Sequence, residues 1–187
     1  MYSYIIKEGD TLVSRKYTGD YRLENITTPS GKVKTVPVYK GDWFAFCADS
    51  AVVQRTKRLF PAFSAVIAAL FLLVLLMNAP SGHIYYVMVP FAVMIFPVYF
   101  ALAAAYRLLT AKEKITREHR DKLVNRYITV SLFLMVFSAA STAGHIIYCL
   151  NFPPVAKDFV SLICAAAICA LSAWMFFHRK DLKMEKI

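Results

Sequence analysis

The sequence predicts an all-α integral membrane domain with four transmembrane helices, preceded by a small β-rich region. Hydrophobic residues make up 58% of the 187 positions and charged residues only 18%, which is far from the usage of ordinary soluble proteins. Four uncharged apolar runs of 19 to 24 residues match the roughly 20 residues that a helix needs to cross a bilayer. The basic residues are distributed unevenly between the segments that connect these runs.

The N-terminal region, residues 1–48, is predicted to form a small cytoplasmic β domain. Its short segments are rich in β-branched and aromatic residues and are separated by turn sequences that contain Gly or Pro. Strands are expected at 1–6, 11–17, 21–28, 32–39 and 42–46. The clearest hairpin joins 22–28 to 32–39, and Pro37 indicates an edge strand or a bulge. Because so small a core is marginal alone, we expect this sheet to lean on the membrane domain, the basic connector or a second chain.

The membrane domain is predicted to occupy residues 49–187. Asp49 or Ser50 is expected to cap a helix that continues directly into the first apolar run. The four membrane spans are expected at about 59–79, 84–106, 127–150 and 158–178.

The charge pattern predicts the orientation of the bundle. Residues 107–126 carry seven Lys or Arg and three acidic residues, whereas 78–83 carries no charge and 151–158 only Lys157 and Asp158. Because Lys and Arg resist translocation, this connector and both termini are predicted to be cytoplasmic, with the plasma membrane as the location. The positive-inside pattern and contact with anionic lipids account for the net charge of +10, so nucleic acid is not an expected partner.

Two sequence patterns predict the internal structure of the bundle. Pro90 and Pro97 each remove a backbone donor from the second span and should kink it, either harmlessly or at a transport site. Small residues that recur four positions apart allow close helix contact. The candidate packing residues are Ala140 and Gly144 in the third span, and Ala165, Cys169 and Ala173 in the fourth.

The sequence contains no catalytic motif and places no charged residue inside a predicted span, since Asp158 is assigned to a connecting loop. A disulfide framework is not expected, and all four cysteines are expected to be buried small hydrophobic residues. His145 lies within the third span and His83 at the outer boundary of the second. A partner hydroxyl or carbonyl for His145 is the simpler interpretation; at matched depth the two histidines could instead ligate a haem or a metal. No cofactor is expected.

These observations predict a multi-pass membrane protein of a non-enzymatic type, with an interaction, assembly or regulatory role. Its expected partners are the lipid bilayer, further copies of the chain or another membrane subunit, and a cytoplasmic protein bound through the N-terminal domain. The alternatives are a small oligomeric transporter or channel, and a haem- or quinone-linked membrane redox protein.

Overall fold

The computed structural model describes residues 15–27, 33–111 and 114–187, and it is mostly helical, as the sequence predicts. Within these residues, four helical segments are long and apolar enough to cross a membrane. They are Ser50–Met77, Tyr85–Leu109, Arg117–Asn151 and Ala156–Leu182.

The first two segments differ in how they accommodate proline. Helix α1 (Ser50–Met77) continues without a break through Pro61 and ends at Asn78, whose φ of 48° is left-handed. The second segment consists of α2 (Tyr85–Val93) and α3 (Ile95–Leu109), which are separated at Met94. This interruption lies in the turn before Pro97, where a proline ring disturbs the preceding backbone.

The third segment begins before its apolar run, inside the predicted basic connector. It consists of α4 (Arg117–Arg120), a π-helical turn (Asp121–Asn125) and α5 (Arg126–Asn151). Glu118 on α4 is buried and forms an ion pair with Lys122, one turn later. The interleaved acidic and basic residues of the connector indicate a solvated helix surface with local ion pairs; the ion pair of Glu118 is present, but Glu118 itself is buried, so the solvated part of that interpretation is wrong for this residue.

The fourth segment, α6 (Ala156–Phe177) with a 3-10 turn (His178–Leu182), packs most extensively on α5. Helix α1 packs on α3 and α6, and α2 packs on α5. The contact faces contain buried serines whose hydroxyls donate to a carbonyl four residues earlier, at Ser64, Ser138 and Ser172. The outer surface instead exposes large apolar side chains, among them Leu72, Leu76, Val89, Phe96, Tyr99, Val136, Ile147 and Ile163. In a bundle this exposed apolar band is typical of lipid contact.

The predicted hairpin is present: β1 (Tyr21–Thr27) pairs antiparallel with β2 (Val33–Tyr39). The pairing passes through Leu23 opposite Pro37 without a bulge. The turn of the hairpin and the strand expected at 1–6 lie outside the described residues. The strand expected at 11–17 is wrong where it is described, because Arg15–Asp20 forms a 3-10 helix.

A second sheet joins three segments that are far apart in the sequence. Its central strand β3 (Trp43–Phe46) lies between β4 (Ile115–Thr116) and β5 (Met184–Lys186), antiparallel to both. Phe44, Ile115 and Met184 are buried in one hydrophobic cluster with residues of the bundle. The β region therefore leans on both the helices and the basic connector, as its small size requires. We call this end of the bundle the terminal end, and the end with loops 78–84 and 152–155 the loop end.

Candidate functional site

Five polar side chains are buried together in the structure's loop-end half, where the surrounding residues are mainly apolar. They come from the loop after α1 and from helices α5 and α6, and each is at most 1% exposed: Ser81, Ser141, His145, Asp158 and Ser161. Buried polar groups normally have hydrogen-bond partners, so the partners of each side chain in this cluster have to be identified.

Asp158 is the charged member of the cluster, and each oxygen of its carboxylate accepts a hydrogen bond from a backbone amide. Oδ1 accepts a hydrogen bond from the backbone N–H of Ser81, and Oδ2 accepts one from the N–H of Val155, both at 2.9 Å. Asp158 lies in the first turn of α6, where the exposed backbone amides and the helix dipole favour a carboxylate. It ties the loop between α1 and α2 to the start of α6.

This position corrects two expectations from the sequence, that Asp158 belongs to a connecting loop and that no charged residue lies within a span. Asp158 is 0% exposed and belongs to a membrane-length helix. An acidic residue three positions after Val155, at the start of an apolar run that follows Pro153 and Pro154, is a capping pattern that would have identified it.

His145 and two of the serines in the cluster lack partners. Neither ring nitrogen of His145 has a hydrogen-bond partner among the described residues, and the same holds for the hydroxyls of Ser141 and Ser161. The preceding residue, Gly144, brings α5 close to α2, since a Cβ there would lie 3.0 Å from the Tyr86 carbonyl oxygen. The hydroxyl or carbonyl partner expected for His145 is therefore not supplied by the described residues.

His145 and Ser161 line a cavity of about 160 Å³ at the loop end. His83 lies at its exposed rim, so the two histidines singled out in the sequence do meet at one cavity. The ring of Phe91, also in the cavity wall, stacks on Phe71 of α1 with centroids 4.6 Å apart. The remaining lining residues are Val74, Leu75, Asn78, Ala79, Gly82, Val87, Met88 and Ala92.

The geometry limits what this site can do. A serine-type triad needs hydrogen bonds from Ser to His and from His to Asp, but within the part of the chain that the structure describes the His145 ring makes neither. Among the described residues no three His, Cys, Asp or Glu side chains group as a metal site. A cavity close in volume to one that holds benzene, about 150 Å³, leaves no room for a porphyrin.

Protein-family models, curated proteins and solved structures yield no match to this chain.

The other residues predicted to shape the bundle are distributed as follows. Pro97 is buried and Pro90 half-buried on either side of the Met94 interruption. Gly144 is buried against α2, whereas Ala140 is exposed, so these two do not form one interface.

The candidate packing residues of α6 lie on the side of this helix that packs against α5. Ala165 is fully buried, Cys169 and Ala173 are half-buried, and the Cys169 thiol lies 3.8 Å from the Met135 carbonyl oxygen. The adjacent stripe, Ala166 and Ala170, is exposed. All four cysteines are free, and Cys164 is buried as expected, but Cys47 is exposed, so the expectation of burial is wrong for Cys47.

At the terminal end, Tyr39 attaches the β1–β2 hairpin to the rest of the structure. Its hydroxyl accepts a hydrogen bond from the backbone N–H of Arg117 and donates to the carbonyl of Asp42, at 3.1 and 2.7 Å. Burial raises the pKa of this phenol, so it stays protonated and keeps its donor. Gly41 is needed beside it, because a Cβ there would lie 2.7 Å from the same hydroxyl oxygen.

Cations cover the aromatic side chains of β3. The Arg120 guanidinium lies 4.2 Å from the centre of the Phe44 ring, and the Lys57 ammonium 5.1 Å from that of Phe46. Lys57 also donates to the Ala111 carbonyl at 3.1 Å. These contacts fix β3 beneath the helices, where cation–π pairs add to the packing.

Proposed function

We propose that this chain is a multi-pass integral membrane protein of the plasma membrane that acts in interaction, assembly or regulation rather than in catalysis. The four long apolar helices and their exposed apolar band support the membrane location. The basic residues at the terminal end support an orientation with both termini in the cytoplasm.

The observation that carries the proposed role is the anchored but open hairpin at the terminal end. Leu23 and Val33 lie on the same face of β1–β2, and they are 52% and 66% exposed. Asn25 and Thr35 lie between them on this face and hydrogen-bond each other at 2.8 Å, which keeps the face in register. A rigidly held strand pair with an open, partly apolar face is suited to binding a cytoplasmic protein.

The proposed role is tested by the composition of the complex in native membranes. The parent chain and a double variant, Leu23→Asp with Val33→Asp, are purified in mild detergent and compared by intact-complex mass. Val52→Asp, at an exposed apolar position of α1, is the matched control. We expect a different subunit to co-purify with the parent and the control and to be absent from the double variant. The same composition in all three samples would refute the role of the hairpin.

The interruption at Met94 favours one second candidate, a small transporter or channel built from several copies of this chain. A helix broken between two prolines can line a solute pathway when neighbouring copies enclose it. In the same measurement, a homo-oligomer that persists in the hairpin variant would support this candidate.

The proposed orientation has its own test. Gly82→Cys and Ser50→Cys, placed separately in a cysteine-free background, report the loop end and the terminal end, and both positions are exposed. With a membrane-impermeant thiol reagent on intact cells, only Gly82→Cys should be labelled. Labelling of Ser50→Cys alone would show that the orientation is opposite to the proposed one.

A further inference from the structure

The cavity at the loop end holds polar groups that the proposed interaction role does not use. The His145 ring and the Ser161 hydroxyl are 1% and 0% exposed, line the cavity and have no partner among the described residues. A buried imidazole or hydroxyl without a partner is destabilising in a low-dielectric environment. Both groups lie where an occupant of the cavity can satisfy them.

The size of the cavity restricts the occupant. At about 160 Å³ it lies well below the roughly 300–1,000 Å³ of sites for drug-sized ligands and close to the 150 Å³ that accommodates one benzene ring. Most of its wall is apolar: Val74, Leu75, Ala79, Val87, Met88, Phe91 and Ala92. Water alone would meet few polar partners against such a wall, whereas a single ring would contact the Phe91 ring and the Met88 sulfur.

The position of the cavity indicates how an occupant enters. Leu75 of α1 and Met88 of α2 line it and are 51% and 48% exposed, so it opens between these helices on the outer, apolar surface of the bundle. Asn78, Gly82 and His83 line its other edge and are exposed at the loop end. A molecule with an apolar body and one polar atom suits such a boundary.

We propose that this cavity binds one neutral, single-ring molecule that carries a hydroxyl or carbonyl oxygen, of the phenol or quinone class. The Ser161 hydroxyl and one His145 N–H donate to its oxygen, and the ring packs against Val87, Met88 and Phe91. The same oxygenated ring is available as a free phenolic solute or as the head group of a membrane-borne quinone. Binding alone is proposed, with no electron transfer.

The test uses two fluorinated probes of nearly equal size and shape. 4-Fluorophenol carries the hydroxyl and 4-fluorotoluene has a methyl group instead, and their binding to the purified full-length chain is followed by fluorine NMR. We expect one saturable site per chain for 4-fluorophenol, with affinity about tenfold above that for 4-fluorotoluene after correction for partition into detergent.

Three variants locate the site. Ser161→Ala should weaken 4-fluorophenol about threefold and leave 4-fluorotoluene unchanged, because it removes one of the two proposed hydrogen bonds and leaves the one from His145. Gly82→Leu should weaken saturable binding of both, since Gly82 lines the cavity and a Cβ there meets no other heavy atom within 4 Å, so the larger side chain can be accommodated at the cavity edge. Val89→Leu, on the exposed surface of α2, should bind like the parent. Thermal unfolding of each variant verifies the fold.

Three outcomes would overturn the proposal: non-saturating uptake of both probes, equal affinity for the two probes in the parent, or identical curves for the parent and Ser161→Ala. If saturable binding is found, displacement by hydroquinones identifies the source of the ring. A decyl-tailed hydroquinone that displaces the probe at lower concentration than free hydroquinone indicates a membrane-borne head group, and equal potency indicates a free solute.

Discussion

Replacing Asp158 with Ala should destabilise the bundle more than any other change to a charged residue at the loop end. The carboxylate accepts the backbone N–H groups of Ser81 and Val155 at 2.9 Å and is fully buried. Alanine leaves both donors without an acceptor and releases the loop after α1 from the start of α6.

The magnitude follows from these two hydrogen bonds. A hydrogen bond to a charged group contributes about 1.5–3 kcal/mol, and an abandoned buried donor costs about 1–3 kcal/mol. The Ser81 bond is buried, so its loss should lie within that range; the Val155 bond is only partly buried, so water recovers part of its loss. We therefore expect Asp158→Ala to cost about 3 kcal/mol in free energy of unfolding. Asp158→Asn keeps one acceptor for Ser81 and should cost about half as much.

The assay is reversible unfolding of the purified chain in detergent, followed by circular dichroism, with Lys157→Ala as the control. Lys157 is the neighbouring residue and is exposed, so its loss should change the free energy of unfolding by less than about 0.5 kcal/mol. If Asp158→Ala and Lys157→Ala were equally stable, or if Asp158→Asn were the worse of the two Asp158 variants, the argument from buried amides would fail.

Three further predictions concern packing and thiol reactivity. Ala165→Leu should lower the free energy of unfolding by about 1–3 kcal/mol through overpacking, whereas Ala166→Leu, on the exposed stripe, should be neutral in the same assay. Gly144→Ala should lower it by about 1–2 kcal/mol, because the new Cβ would lie 3.0 Å from a backbone oxygen of α2. Burial, with a further contribution from Glu185, raises the pKa of the Cys47 thiol; Glu185→Gln should therefore lower this pKa and speed alkylation by iodoacetamide at pH 8.

Each of these has a result that would contradict it. Equal stability of the Ala165→Leu and Ala166→Leu variants would show that α6 makes no close contact through Ala165. An unchanged unfolding curve for Gly144→Ala would mean that α2 and α5 separate easily. The direction of the expected rate change at Cys47 follows from thiol chemistry, since only the thiolate reacts and a higher pKa means less thiolate at a given pH. A slower reaction after Glu185→Gln would show that its carboxylate does not hold the proton on sulfur.

The four helices and the hairpin could be predicted because their signals are local and long. An apolar run of 19 or more residues requires no partner to be recognised, and the Pro-Ser-Gly turn sets the pairing of the strands around it. Strands β4 and β5 could not be found in this way. They have two and three residues, which is too short for a hydrophobic periodicity to be recognised. Each is a strand because it pairs with one edge of β3.

The candidate site was predicted in part. The sequence singled out His83 and His145 as two residues that could lie at one depth, and both line one cavity, but the cavity itself depends on the distance between α1 and α2, which no sequence period encodes. The four-residue spacing of Ala140 and Gly144 was also insufficient to predict whether both lie in one interface. Spacing alone does not fix how a helix is rotated about its axis. Gly144 is buried and Ala140 exposed on the same helix.

The three-stranded sheet also imposes an order on how the chain matures during synthesis. Strand β3 is made before any of the four helices, but β4 follows the second membrane-length segment and β5 follows the fourth. Until β4 is made, both edges of β3 lack the partners that complete this sheet, and one edge stays open until β5 is made. An open strand edge can pair with other chains. The sheet can therefore be completed only after all four membrane-length segments have been synthesised, and a chain that ends before β5 would present a free strand edge.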